Sequence, residues 1–197
     1  MIFISFIFAI LLLFALAYFA AFEYCRYKMA KVMAKELGGS AVFKIGGSYM
    51  RCHHEGVQER AWVVPDDKMA WGSILTFVIP PTAKLILQRH IPLGFRFYIG
   101  SKAGMLFRAI SPGTLKTADF NVAQLDETLQ LQTNDPAKAA LFFVATDKQQ
   151  ALMALYHARF TQIKGDRNAI MATMVGLADE SIIPDRLDHY FKQLRTF

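Results

Sequence analysis

The sequence predicts an α+β protein carried behind a single N-terminal transmembrane helix. Three observations predict it: an unbroken apolar run at residues 2–22, a middle section of short apolar runs punctuated by Gly and Pro, and a C-terminal third that alternates strand and helix patterns. With 197 residues the chain is one domain plus an anchor. A composition of 54% hydrophobic and 19% charged residues, with mean hydropathy +0.26, excludes intrinsic disorder and is too apolar for an average soluble protein.

Residues 2–22 contain no charge, Gly or Pro, and only Ser5 and Tyr18 carry a polar side-chain atom. At about 1.5 Å per residue these 21 residues span about 30 Å, the thickness of a bilayer's hydrocarbon core. A cleaved signal peptide would need a basic start, a shorter apolar stretch and a small-x-small site after it. Here the start has no Lys or Arg, Ala15 and Ala17 lie inside the run, and no lipobox leads to Cys25. An uncleaved anchor is expected. No basic residue precedes the run, whereas Arg26, Lys28, Lys31 and Lys35 follow it against Glu23 and Glu36. The positive flank stays inside, which predicts an outer N-terminus and a cytoplasmic C-terminal domain. Two cysteines, Cys25 and Cys52, make no disulfide framework and are expected to be free thiols.

The formal charge of +6 does not point to nucleic acid. Beyond residue 36 the balance is 18 basic to 14 acidic, and no basic stretch is interleaved with aromatic residues. The juxtamembrane basic residues have a simpler partner in anionic lipid headgroups, at about 1 kcal/mol each near the surface. Lys28, Lys31 and Lys35 fall at helical spacing, and Tyr18, Tyr24 and Tyr27 bracket the boundary as interfacial aromatics do.

The anchor helix is expected to run on to about Leu37, through residues rich in Ala, Lys, Met and Glu, and to stop at Gly38-Gly39-Ser40. This gives an anchor at 1–37 and an α+β domain at 38–197, with a sub-boundary considered near Pro112. Strands are expected at 41–45, 49–54, 59–64, 74–79, 84–90, 95–99 and 105–110, forming a twisted antiparallel sheet or a partly closed barrel. Leu37-Gly-Gly-Ser40 and Ile45-Gly-Gly-Ser48 read as two turns around the first of them. Pro80-Pro81 ends the most apolar run, since Pro cannot donate to a ladder.

After a Ser-Pro-Gly turn at 111–113, the alternation Leu129-x-Leu131-x-Thr133 reads as a half-buried strand. Asp135-Pro136 supplies an N-cap and a first-turn proline for a helix over 137–144. Thr146 or Asp147 opens another, to about Arg159, with Leu152, Leu155 and Tyr156 on one side. Residues 160–163 and 168–175 form a hairpin around 164–167. A last helix begins at Pro184, with Leu187, Tyr190, Phe191 and Leu194 in an i, i+3, i+4, i+7 stripe.

Chemistry-bearing motifs are sparse. Cys52-His53-His54-Glu55 is the densest group of metal-ligand types, and on a strand Cys52 and His54 share a face. A pair at i, i+2 needs further ligands, and neither C-x-x-C nor H-E-x-x-H spacing occurs, so Cys52 and His54 are weak candidates and no metal or cofactor is expected. Gly100-Ser-Lys-Ala-Gly104 lacks the phosphate-loop spacing and reads as a hairpin loop, and no nucleophile elbow is present. No catalytic residue is assigned.

Within the anchor, Ser5, Ala9, Ala17 and Ala21 fall on a four-residue step broken by Leu13, a spacing that lets a second helix approach closely. The function expected is therefore a noncatalytic, single-span accessory subunit. Its helix contacts other membrane subunits through Ser5, Ala9, Ala17 and Ala21, and its basic flank at Arg26, Lys28, Lys31 and Lys35 meets the lipid surface. A respiratory or photosynthetic energy-transducing assembly is the first kind of partner considered. The alternative is a membrane-tethered domain whose β-rich half binds a small ligand or lipid, or catalyses a reaction of unrecognised type.

Overall fold

A computed structural model describes residues 2–65, 83–102, 115–176 and 184–197. Helix α1 (Ile2–Glu36) is 35 residues long and ends where expected. Leu37 N donates to Met33 O, Gly39 N donates to Ala34 O, and Gly38 takes φ +67°, a helix stop that a residue with a Cβ rarely adopts. Gly39 cannot be enlarged either, because a Cβ there would stand 2.5 Å from the Arg51 carbonyl oxygen.

The strands are β1 (Ser40–Val42), β2 (Tyr49–His54), β3 (Val57–Pro65), β4 (Ala83–Arg89), β5 (Phe97–Ser101), β6 (Lys116–Ala118), β7 (Leu129–Thr133), β8 (Phe160–Asp166) and β9 (Ala169–Val175). The remaining helices among the described residues are α2 (Ala123–Thr128), α3 (Pro136–Phe143), α4 (Thr146–His157) and α5 (Pro184–Arg195). The fold class is α+β, as expected, with a long apolar helix, one antiparallel sheet and C-terminal helices. The sheet has nine strands among the described residues, in the order β1-β2-β3-β4-β9-β8-β5-β7-β6. It is linear, with β1 and β6 at its ends, and takes the open form of the two expected. Strands from both sides of Pro112 interleave, since β4 pairs with β9 and β5 lies between β8 and β7.

Several boundaries differ from the sequence reading for local reasons. The strand expected at 41–45 stops at Val42, because Lys44 to Ser48 forms a tight turn in which Gly47 N donates to Lys44 O and the Ser48 hydroxyl donates to that same carbonyl. The hairpin near 164–167 is tighter, with β8 continuing to Asp166. Gly165 allows this: a Cβ there would meet the Phe97 ring at 2.2 Å, so only glycine lets β5 pack alongside. The expected strands at 74–79 and 105–110, the 111–113 turn and Pro80-Pro81 lie outside the described residues. Helix α2 and strand β6 were not expected. Asp126 organises α2 by accepting hydrogen bonds from Phe120 N and Val122 N.

One face of the sheet is covered and contains the core. Met50, Cys52, Ala61, Val63, Leu85, Leu87, Ala172 and Met174 point to it by strand alternation, and Leu187, Tyr190, Phe191 and Leu194 of α5 close over it as the expected stripe. Ala30, Met33 and Ala34 of α1 belong to the same core. At the other end Phe143 packs edge to face against both Phe97 and Phe142, with the Phe97 and Phe143 centroids 5.2 Å apart, while the Phe97 and Phe142 rings are tilted to one another. Asp135 caps α3 by accepting from Lys138 N at 3.1 Å, as its position before Pro136 predicts.

Candidate functional site

Helix α1 has two halves with opposite surroundings. Residues 6–17 are exposed throughout, with Phe8 70% and Phe14 63% accessible, so among the described residues none covers this stretch. From residue 23 onward one stripe turns inward: Glu23, Arg26, Ala30, Met33 and Ala34 are buried at helical spacing against β1, β2, β3 and α5. The long apolar helix thus continues into the core of the domain.

The transition is fastened by Arg26. Its guanidinium donates Nη1 to Glu23 Oε1 at 2.8 Å, Nη2 to the Gly46 carbonyl at 3.1 Å and Nε to the Val63 carbonyl at 3.4 Å, while lying over the Phe22 ring at 5.5 Å. One planar fork therefore ties α1 to the 44–48 turn and to β3, a task a lysine ammonium could not repeat with fixed geometry. Beside it, Tyr27 meets Phe43 edge to face at 5.5 Å between centroids.

A second charged cluster locks α5 onto the sheet. Glu59 on β3 is fully buried and accepts from Arg195 Nε and Nη2, each at 2.9 Å, in a bidentate pair. Arg89 Nε lies 3.9 Å from Glu59 Oε1, and Arg89 Nη1 donates to the Arg195 carbonyl. Cys52 Sγ donates to Glu59 Oε2 at 3.8 Å, and burial, reinforced by the Glu59 charge against the opposing Arg195, pushes the thiol up to about 11. It stays protonated at neutral pH and is a poor nucleophile.

On the opposite sheet face, a groove of about 390 Å³ lies beside the 44–47 turn, with Lys44, Tyr49, Arg60, Trp62 and Met171 in its lining. Arg60 Nη2 donates to Gln58 Oε1 at 2.6 Å, and its guanidinium stands 5.3 Å over the Tyr49 ring.

The expected site residues are distributed as follows. Ala9, Ala17 and Ala21 are exposed on the bare half of α1; Ser5 lies in the same helix, its side chain outside what is described. Lys28, Lys31 and Lys35 are exposed on one side of α1, with Lys31 Nζ 4.8 Å over the Tyr27 ring. Arg26 departs from the lipid-facing role expected of it, because it is only 8% exposed and its donors are engaged inside the protein. Cys52 and His54 share a face of β2, but Cys52 is buried against Glu59. Among the described residues no group of three or more His, Cys, Asp or Glu side chains is close enough to share a metal ion. The Glu59–Arg195 pair was missed, since nothing local links residues 136 apart. The inward stripe at 23, 26, 30, 33 and 34 had a readable period.

The chain matches no described protein family and no curated protein. Its fold is similar to the crystal structure of the mycobacterial trehalose monomycolate transport factor A, TtfA, with a TM-score of 0.51 over 86% of this chain and 90% of that one, at 8% identity. At that identity the likeness concerns the fold.

Proposed function

We propose that this protein is a single-span, noncatalytic accessory subunit that stabilises or organises a larger membrane protein assembly, with its helix in the bilayer and its α+β domain held rigidly at the membrane surface. The observation that carries the proposal is the division of α1: a bare apolar half of membrane-spanning length continues without a break into a half that belongs to the domain core. A flexible tether only localises a domain. A rigid one also sets its height and orientation, which is what a scaffold in an assembly requires.

The charge asymmetry around the helix supports a cytoplasmic domain and an outer N-terminus. Lys28 would meet anionic headgroups, and the attraction would fade along the row, since Lys35 lies about 20 Å beyond Phe22 at 1.5 Å per residue. TtfA is described as a transport factor, so a membrane transport assembly takes precedence over the energy-transducing kind as the partner to examine. Other membrane subunits, and not nucleic acid, are the partners proposed.

Ala9 and Ala17 are the proposed close-contact positions, because small side chains let helix backbones approach in lipid. Ala9→Leu with Ala17→Leu should leave the folded domain and membrane insertion intact. Purification in mild detergent through a tag at Phe197 should then recover the protein without the subunits that accompany the unsubstituted chain. Unchanged co-purification would remove the helix contact from the proposal.

The groove beside the 44–47 turn favours a second reading, in which the domain also holds an amphiphile. Lys44 and Arg60 would face an anionic head, with Trp62 and Met171 against its apolar part.

A further inference from the structure

The domain carries two large apolar side chains on the rim nearest the anchor's apolar half, and their placement is set by the fold. Chain direction fixes this. α1 rises out of the apolar run, turns at Gly38, and β1 returns antiparallel to the helix, so that the 43–47 turn comes back to the height of Arg26. The Arg26 to Gly46 hydrogen bond and the Tyr27–Phe43 ring contact hold it there. Arg26 lies four residues past Phe22, about 6 Å beyond the end of the apolar run, a height within the headgroup layer of a bilayer.

At that height Phe43 is 56% exposed and Ile45 70% exposed, with Lys44 between them also exposed. Single exposed apolar residues are ordinary on protein surfaces. These two differ because they sit on a rigid turn: Gly47 N donates to Lys44 O, Lys44 N donates to the Ser48 hydroxyl, and Gly46 has φ +78°. Exposed Tyr24 lies on α1 at the same level. An aromatic, an aliphatic and a lysine displayed together beside an emerging membrane helix match the chemistry of the bilayer interface, where apolar groups enter the acyl boundary and ammonium groups meet phosphate.

We infer that the Phe43-Lys44-Ile45 turn is a second membrane contact, seated in the headgroup layer of the same leaflet from which α1 emerges. The inference rests on the membrane-anchor reading and adds a domain-borne contact to it. Two points of attachment, the helix and the turn, would fix the tilt of the rigid helix and domain relative to the membrane plane.

The test uses the full chain with Cys25→Ser, leaving the buried, protonated Cys52 in place, and single cysteines introduced as Leu13→Cys, Ile45→Cys or Leu141→Cys, each labelled with an environment-sensitive fluorophore. Leu141, on α3, is 75% exposed and serves as the reference for a water-facing site. The proteins are reconstituted into phosphatidylcholine–phosphatidylglycerol vesicles carrying a nitroxide either at the headgroup or midway along the acyl chain. The Leu13 label should be quenched by the mid-chain nitroxide. The Ile45 label should shift to the blue and be quenched by the headgroup nitroxide, while the Leu141 label does neither. A quenched Leu13 label with an Ile45 label that behaves like Leu141 overturns this inference and leaves the anchor. Absence of quenching at Leu13 overturns both. An Ile45 label that is water-exposed in vesicles but shifted in native membranes gives the turn to a protein partner and also overturns the inference, as does equal quenching at Ile45 and Leu141.

Discussion

Glu59→Ala should destabilise the domain by about 3 to 5 kcal/mol, the cost of removing one partner from a buried ion pair. The carboxylate is fully buried and is the acceptor for the bidentate Arg195 pair, with Arg89 3.9 Å away. Its loss leaves two guanidiniums near each other in a site where Arg195 is 20% and Arg89 10% exposed, too little for water to screen them well. Helix α5 would lose its fastening to β3 although its apolar stripe stays in place. For a chain of this size the change corresponds to a fall of about 10 °C in Tm. Thermal unfolding of the full chain in detergent, followed through the loss of sheet signal, measures it. Glu59→Gln keeps the shape and an acceptor oxygen and should lose less. If Ala and Gln are equally harmful, charge rather than shape governs the site; if neither is harmful, the network is not a fastening.

Arg26→Ala is expected to be comparably costly, and to act at a different place. It removes three hydrogen bonds and leaves the Glu23 carboxylate, 5% exposed, without its counter-charge in the core. A loss of about 3 kcal/mol or more follows for the same reason as at Glu59. Arg26→Lys should recover little, because an ammonium cannot span Glu23, Gly46 and Val63 from one position. Combining Arg26→Ala with Glu23→Ala removes the stranded charge and should be less damaging than Arg26→Ala alone, a departure from additivity that a double-mutant cycle reads directly. The local signature is faster amide exchange in the 44–48 turn and in residues 23–30 of α1, with β8 and β9 little changed. Additive losses would mean that Glu23 and Arg26 do not function as a pair.

Both sites show where sequence reasoning has purchase. The long apolar helix could be read from composition alone, since its 21 residues without charge, Gly or Pro leave little to interrupt it. β2 matched its expected span of 49–54 because its exposed and buried residues alternate, and α5 matched because its stripe follows the helical period. Short elements were lost: β6 has three residues, and α2 has six and depends on a side chain inside it, so neither accumulates enough local signal. The end of β8 depends on the Phe97 ring approaching Gly165, a contact between distant segments that no local pattern encodes.

The junction was half readable. Lys28, Lys31 and Lys35 were placed on a common face and are exposed together. Arg26 was grouped with them as one more basic residue after the apolar run, and charge counting cannot separate it from its neighbours. The inward period 23, 26, 30, 33, 34 could have separated it, since it puts Arg26 on the line that carries Ala30 and Met33 into the core. Glu23 at i−3 then completes a pair on that face.

The most direct measurement is the distance distribution between spin labels at Leu13, on the bare half of α1, and Leu141, on the far side of the junction, with the full chain in lipid nanodiscs. An unbroken helix built into the domain predicts one narrow distribution, broadened by Arg26→Ala. A broad distribution in the unsubstituted protein would place a hinge between residues 13 and 141, and the rigid junction would be wrong.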